Sequence, residues 1–227
     1  HSTNNRRRSI WGYRSIDRWL YSRYDKIVCI SDIAKEKLLE HIGNNYQQKV
    51  LTINNGVDVQ RFYTANEAPN LRLPDCFVTV MVAGFREAKD QDTLIRAISL
   101  LPAQYRLWLV GDGVRRAELE STITSAGVSE RVSLLGIRSD VPQVLKSADV
   151  VVMSSHWEGL SLSNIEGMSS GRPFVASDVD GLREVTKGYG VLFPHEDAEA
   201  LANIIRRLHD DKAYYDEVAD KCHDVRH

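Results

Sequence analysis

Short apolar runs alternate with amphipathic stretches along the chain from about Asp25 onward. Apolar residues three and four positions apart, such as Leu94, Ile95, Ile98 and Leu101, predict helices, and short unbroken apolar runs predict buried strands. The predicted strands are Lys26–Ile30, Lys49–Ile53, Phe77–Ala83, Arg106–Val110, Val132–Leu135, Val150–Met153, Pro173–Ala176 and Val191–Phe193. Strands that alternate with helices of about ten residues indicate βαβ units, so we predict an α/β fold with a mostly parallel sheet.

The segment Asp58–Pro74 has little periodicity and contains two prolines, which is typical of a linker. We therefore predict a first domain over residues 1–55, a linker over 56–74 and a second domain over 75–208. Residues 209–227 are predicted to form a terminal helix that returns toward the first domain.

The composition of the 227 residues, 43% of them hydrophobic, allows one full domain and part of another. A net charge of −2 argues against a dedicated nucleic-acid-binding protein. Three widely spaced cysteines fit a reducing compartment, and no Cys/His spacing suggests zinc. Without a signal-peptide pattern or an apolar run of about 20 residues, we expect a soluble cytoplasmic protein. The chain opens on His1 rather than a methionine, so we also expect it to be a fragment.

Ligands of parallel α/β sheets bind at the carboxyl ends of the strands, so chemistry is expected after Ala83, Val110, Leu135 and Met153. Beyond Met153, two carboxylates, Glu158 and Glu166, enclose small and polar residues at the predicted start of a helix. Free backbone N–H groups there suit a phosphate, and the residues that would hold it are Gly159, Leu160, Ser161, Leu162 and Ser163.

Glu158 and Glu166 suit sugar hydroxyls instead, because a carboxylate repels phosphate but accepts hydrogen bonds from a diol. The pattern favours a ligand that carries a diphosphate between two sugars. Taken alone, the two glutamates fit a purely structural interpretation equally well, in which Glu158 caps a surface loop and Glu166 is an ordinary exposed helix residue.

The run from Glu158 to Glu184, EGLSLSNIEGMSSGRPFVASDVDGLRE, resembles the signature of glycosyltransferase family four, E-G-x-G-L-x-x-x-E-A-M-A-x-G-x-P-V-V-A-S-x-x-G-G-x-x-E. The resemblance extends over nearly the whole chain from Asp25, with Ser161 and Asp180 replacing two glycines of the pattern. It implies a retaining enzyme of the GT-B fold, built from two Rossmann-like domains. The chain would hold the nucleotide-sugar domain, 75–208, and the end of the acceptor-side domain, 1–55.

The resemblance also implies roles for single residues. Glu166 would hold the nucleotide ribose and Glu158 would contact the donor sugar. Lys89 matches the lysine of the family's V-G-R-x-x-x-x-K motif, whereas Gly84 occupies the arginine position and Arg86 follows two residues later. Arg86 and Lys89 together would stabilise the departing diphosphate electrostatically. A solvated loop position is the alternative for each of the two cations.

Gly111 and Gly113 predict a tight turn from strand to helix beside the pocket for the base. By resemblance, Gly136, Ile137 and Arg138 lie where the base rests, although each also fits a plain structural turn. Asp178-Val-Asp180 could be an Asp-x-Asp metal motif, but the resemblance puts a plain loop there and a cationic pair replaces the metal. We therefore expect no metal and no other cofactor.

The first residues resemble the loop that carries the family's active-site histidine, which would make His1 that residue; a fortuitous or vector-derived histidine is the alternative. The basic and aromatic stretch from Arg6 to Trp19 could touch an anionic membrane surface. A surface helix packed on the rest of the first domain is the other interpretation.

The resulting prediction is an enzyme that moves a hexosyl unit from a UDP- or GDP-sugar to a glycan or lipid-linked hydroxyl acceptor, with retention. Its expected setting is the synthesis of surface or capsular polysaccharide, in the cytoplasm or peripherally at the inner face of the membrane. A nucleotide-sugar-binding module without transfer activity and a sugar-nucleotide epimerase of the same fold are the alternatives.

Overall fold

The computed structural model describes residues 13–29, 32–53, 56–72, 74–158 and 162–223. The chain divides into two compact units, residues 1–56 and residues 57–227. No helix in the described residues is long and apolar enough to cross a membrane.

The first unit is a small βαβ arrangement. Its elements are α1 (Tyr13–Ser22), β1 (Ile27–Cys29), α2 (Asp32–Ile42), a 3-10 helix (Asn44–Lys49) and β2 (Val50–Thr52). The two strands are parallel, with Ile27 opposite Val50. Between them and α2 lies a small apolar core of Cys29, Leu38, Leu39, Ile42 and Val50.

Helix α1 is tied to the end of α2 through its arginines. The Arg14 Nε donates to the His41 carbonyl at 2.7 Å, and the Arg18 Nε donates to the Ile42 carbonyl at 2.6 Å. These bonds satisfy carbonyls that the last turn of a helix leaves without a partner. Trp19 remains 59% exposed.

In the described residues of the second unit there are six strands: β3 (Phe77–Val82), β4 (Tyr105–Val110), β5 (Val132–Gly136), β6 (Val150–Met153), β7 (Phe174–Ser177) and β8 (Val191–Phe193). All pair in parallel, in the order β5-β4-β3-β6-β7-β8. Its helices are α3 (Val59–Tyr63), α4 (Gln91–Ser99), α5 (Arg116–Ser125), α6 (Val141–Ser147), α7 (Leu162–Ser169), α8 (Leu182–Thr186), α9 (Ala198–Asp210) and α10 (Lys212–His223).

Helices cover both faces of this sheet. Successive side chains of a strand point to opposite faces, yet every residue of β6 and every residue of β3 up to Met81 is buried. The α/β fold with a parallel sheet that the sequence predicts is confirmed. The strand order reverses between β3 and β6, and in such sheets this point opens a crevice at the carboxyl ends.

The segment predicted as a linker carries a short helix of its own. Asp58 caps α3 by accepting from the Arg61 N–H at 3.1 Å, and Phe62 is buried in the core of the second unit. Further along, Arg72 forms an ion pair of 2.9 Å with Asp149. At the other end of the chain, α10 places Val218 in the same core.

Candidate functional site

Two loops meet where the strand order reverses, one after β3 and one after β6. The Ser154 hydroxyl donates to the Asp90 carbonyl at 2.7 Å, and the His156 N–H donates to the Ala88 carbonyl at 3.0 Å. Ser155 is fixed in turn by β7, since its N–H donates to the Ser177 hydroxyl oxygen at 2.9 Å. Hydrogen bonds thus hold the loops after β3 and β6 together at the edge of the crevice.

Lys89 and Glu158 lie together at this edge. The ammonium group donates to the Glu158 carboxylate in an ion pair, and the two side chains are only 17% and 13% exposed. The Ser155 hydroxyl lies 3.4 Å from the same carboxylate oxygen. The structure therefore joins the residue predicted to contact the diphosphate directly to the residue predicted to contact the donor sugar.

Arg86 offers a second cation on the β3 loop. Its side chain is exposed and has no ion-pair partner in the part of the chain that the structure describes. Gly84, two residues before it, could carry a Cβ without a clash, since that atom would lie in ordinary contact, 3.7 Å from the Arg86 Nε and from the Asp112 carbonyl oxygen. Arg86 is free to take an anionic partner, whereas Lys89 already has one.

Glu166 lies on α7, the helix that follows the β6 loop. Burial raises the pKa of its carboxyl group, and the positive charge of Arg61 on α3 partly offsets that effect. Among the described residues, no donor bonds or pairs with this carboxylate. A half-buried carboxyl with vacant acceptor positions is suited to the hydroxyls of a ligand.

Gly167 allows α7 to approach the sheet closely. A Cβ at this position would lie 2.8 Å from the Phe174 ring and 3.0 Å from a Val151 methyl. The missing side chain makes room for the ring on β7, which is fully buried. The position of Glu166 is thus set by contact between Gly167 and Phe174.

Gly111 and Gly113 bring the β4 loop against the β3 loop. A Cβ on Gly111, at φ 137°, would lie 2.1 Å from the Ala83 carbonyl oxygen, and one on Gly113 would lie 2.4 Å from that of Phe85. The Phe85 N–H donates to the Asp112 carbonyl at 3.0 Å. The close approach of the two loops therefore requires glycine at both positions, whether or not a ligand binds there.

Ile137 is 83% exposed at the end of β5, and Val114 after β4 is 94% exposed. Beside Ile137, the Arg138 guanidinium donates twice to Asp140, at 2.8 and 2.6 Å. These bonds lower the pKa of the Asp140 carboxyl and raise that of Arg138. The two residues follow the ends of neighbouring strands, β5 and β4, and both leave an apolar side chain exposed there.

Four predicted site residues, His1, Gly159, Leu160 and Ser161, lie outside the described residues. Of the predicted phosphate-binding residues, Leu162 and Ser163 form the first turn of α7. Both carboxylates of the Asp178-Val-Asp180 sequence pair with Arg183.

Polar residues that the sequence patterns did not single out also lie near the crevice. Asn164 on α7 is fully buried, and neither atom of its amide has a hydrogen-bond partner in the described part of the chain. His156 lies on the β6 loop and forms contacts with His195 and Asp90. His156, His195 and Asp90 follow three different strands, β6, β8 and β3. Their proximity could therefore be predicted only from the strand order.

Comparison with known proteins identifies the family and the fold of this chain. The sequence profile of the family "Glycosyl transferases group 1" matches residues 76–211, and the chain belongs to that family. The fold is that of GT-B glycosyltransferases, as its structural neighbours show.

Particular relatives are similar over most of this chain. It is 30% identical over 211 residues to the putative glycosyltransferase EpsD of Bacillus subtilis, covering 87% of this chain and 55% of that protein. It is 29% identical over 202 residues to the Escherichia coli UDP-Gal:alpha-D-GlcNAc-diphosphoundecaprenol alpha-1,3-galactosyltransferase, covering 82% and 52%.

Among solved structures, HepE of Anabaena in complex with UDP and glucose matches with a TM-score of 0.77 and 26% identity, covering 93% of this chain and 61% of that one. The sucrose-phosphate synthase of Thermosynechococcus elongatus matches with a TM-score of 0.72 and 25% identity, covering 99% and 59%. The chain spans about half the length of the curated relatives it matches.

Proposed function

We propose that this protein transfers a hexosyl unit from a nucleoside-diphosphate sugar to a hydroxyl acceptor, with retention at the anomeric carbon. The observation that carries the proposal is the Lys89–Glu158 pair at the crevice edge, beside an unpaired Arg86. In the described residues, this edge combines cations for a diphosphate with a carboxylate for a sugar.

The proposed chemistry is electrostatic. As the bond from the anomeric carbon to the diphosphate breaks, the electron pair and the negative charge pass to the leaving oxygen. The acceptor hydroxyl oxygen bonds the anomeric carbon on the same face, and its proton passes to the departing diphosphate. Arg86 and Lys89 stabilise that charge, and Glu158 holds the sugar hydroxyls in place. Because Arg86 has no ion-pair partner among the described residues and Lys89 can turn from Glu158 to the diphosphate, the proposed transfer step uses no metal ion at this position.

Glu166 is proposed to hold the ribose. Its carboxylate is half-buried and has no protein partner among the described residues, so it can accept both hydroxyls of a vicinal diol. Ile137 and Val114 are proposed to support the base. The Anabaena neighbour binds UDP and glucose, which supports a uridine nucleotide as the first donor to test.

Relatives support a role in surface polysaccharide synthesis with a lipid-linked acceptor. The Escherichia coli relative is named for a diphosphoundecaprenol substrate, and two Rhizobium meliloti relatives are named for lipopolysaccharide core biosynthesis. Cytoplasmic localisation and membrane contact through Arg6–Trp19 stay predictions. In the described part of that stretch, Arg14 and Arg18 bind carbonyls of α2, which favours a packed surface helix over a membrane-binding one.

Calorimetry of the full chain with UDP, GDP and their sugars tests the proposal. Glu166→Ala should weaken nucleotide binding by about 1.5–3 kcal/mol, from loss of a charged acceptor. Glu199→Ala removes an exposed glutamate of α9 and serves as the matched control, with unchanged affinity expected. Equal affinity for wild type and Glu166→Ala would contradict the ribose assignment.

A donor-hydrolysis assay on the same proteins separates the alternatives. Slow release of sugar and nucleoside diphosphate supports a transferase. Tight binding without any turnover would instead indicate a binding module, and epimerised donor without release of nucleotide would indicate an epimerase.

A further inference from the structure

Two histidines and a glutamate converge where the loops after β6 and β8 meet. The His156 Nδ1 lies 3.0 Å from the His195 Nε2 and 3.1 Å from a Glu196 carboxylate oxygen. That oxygen lies 3.9 Å from the His195 Nε2. The two ring nitrogens and the carboxylate oxygen, all potential metal ligands, thus lie within 3.9 Å of one another.

The buried carboxylate of Asp90 lies near the second nitrogen of the His156 ring, and ligand atoms of Asp90, His156 and His195 all lie within 4.8 Å of one another. The Asp90 Oδ1 is 3.8 Å from the His156 Nε2, and the residue is only 2% exposed. Its Oδ1 accepts from the Thr93 N–H at 3.1 Å and so caps α4. Its Oδ2 is buried and has no hydrogen-bond partner among the described residues. A buried carboxylate oxygen without a partner is costly, which calls for a cationic or donating neighbour.

The distances suit a tetrahedral ion. With bonds of about 2.0–2.1 Å, ligand atoms on zinc lie about 3.3 Å apart, and the three measured separations bracket this value. Two imidazoles and one carboxylate, with an open fourth position, form a ligand set typical of Zn²⁺ and related divalent metals.

We propose that the His156 Nδ1, the His195 Nε2 and the Glu196 carboxylate bind a divalent transition metal of the Zn²⁺ class. Asp90 is the positioning residue, because a metal on Nδ1 leaves the Nε2–H to donate toward this carboxylate. The alternative is a hydrogen bond between His156 and His195 without a metal. That bond alone gives no reason for the Glu196 carboxylate to lie near both ring nitrogens. The proposal does not depend on nucleotide-sugar transfer.

The bound metal joins the β6 loop to the β8 loop. Glu158 lies two residues beyond His156, so the ion restricts the segment that carries it. The proposed ion shares no ligand with the Lys89–Glu158 pair and takes no part in the proposed transfer step.

Calorimetric titration of the metal-free full chain with Zn²⁺ tests this inference, together with visible absorption after loading with Co²⁺. We expect one tightly bound ion per chain and Co²⁺ bands of a tetrahedral site. Asp90→Asn should weaken Zn²⁺ binding about 10–100-fold without changing the stoichiometry. Because Asp90 also caps a helix, the surface variants His195→Ala and Glu196→Gln provide the decisive comparison, with loss of the tight site expected in both.

His209→Gln is the matched control, since His209 pairs with Asp210 outside this cluster. It should bind Zn²⁺ as the wild type does. The inference is overturned if the wild type takes up no Zn²⁺, if His195→Ala and Glu196→Gln bind as the wild type does, or if His209→Gln loses the ion equally.

Discussion

Lys89 and Glu158 form an ion pair across the two loops that meet at the crevice, one after β3 and one after β6. Each residue is the other's partner before any ligand binds. A diphosphate that recruits Lys89 must therefore share it with the carboxylate or displace that carboxylate. In the proposed roles, the sugar would then meet a Glu158 that is partly released from its ion pair, and this exchange would couple recognition of the two halves of the donor.

Glu158→Gln should separate these two effects. With the competing charge removed, UDP should bind about two- to fivefold tighter, as expected for an ion pair worth about 0.5–1 kcal/mol. The preference for a UDP-sugar over UDP should decrease at the same time. Calorimetry with both ligands measures the two changes, and weaker UDP binding in this variant would contradict the competition between carboxylate and diphosphate.

Lys89→Ala should discriminate between diphosphates and nucleosides. Loss of the cation weakens UDP binding by about 1.5–3 kcal/mol, typical of a hydrogen bond to a charged group, and leaves uridine binding nearly unchanged. Lys187→Ala removes an exposed lysine after α8 and is the control. Equal losses for UDP and uridine would exclude a phosphate role for Lys89.

Glu166→Gln should stabilise the fold at neutral pH while it weakens nucleotide binding. Burial raises the pKa of this carboxyl, so the folded protein holds the proton more tightly than the unfolded chain. The resulting cost is fully present above the folded-state pKa and disappears below the unfolded one. Urea unfolding should show a gain for the glutamine variant near pH 7 that vanishes at about pH 4. A gain that is the same at both pH values would indicate another cause.

Gly167 and Phe174 should be energetically coupled. Alanine at position 167 gains about 1 kcal/mol of helix propensity, but its Cβ would lie 2.8 Å from the ring, and such overpacking costs about 1–3 kcal/mol. We expect Gly167→Ala to be destabilising alone and stabilising in the presence of Phe174→Val. The family pattern has alanine and valine at these two positions. Additive unfolding free energies in the double-mutant cycle would disprove the coupling.

Gly111→Ala should lower the free energy of unfolding by more than about 3 kcal/mol, because its Cβ would lie 2.1 Å from the Ala83 carbonyl oxygen at an unfavourable φ. Gly127→Ala is the matched control. Gly127 also has a positive φ, but nothing lies within 4 Å of the added Cβ, so a loss of about 1 kcal/mol is expected. Similar losses in both variants would mean that the close approach of the two loops is not required.

The strands of the second unit follow from the sequence because burial on both faces leaves unbroken apolar runs. Val150–Met153 and Val191–Phe193 have the predicted bounds, and β3 ends one residue before the predicted Ala83. Helix α3 was not predicted, since Phe62 anchors it without any periodic pattern.

Proximity between distant loops could not be predicted in the same way. Lys89 and Glu158 are 69 positions apart, and His156 and His195 are 39 apart. Each pair meets only because the strand order places particular strand ends side by side. The sequence predicted the residue types of the candidate site but not that Lys89 and Glu158 neutralise each other.

The pairing of β3 with its two neighbours is unequal. All six residues of β3 pair with β4. Only Thr79 and Val80 of β3 pair with β6, opposite Val150 and Val151. Asp149, directly before β6, extends this short pairing, because its N–H donates to the Val78 carbonyl at 2.8 Å and its carboxylate accepts from the Val78 N–H at 2.7 Å. The carboxylate of Asp149 thus takes the place of a longer strand pairing, and the junction under the crevice depends on a buried side chain as much as on the β ladder.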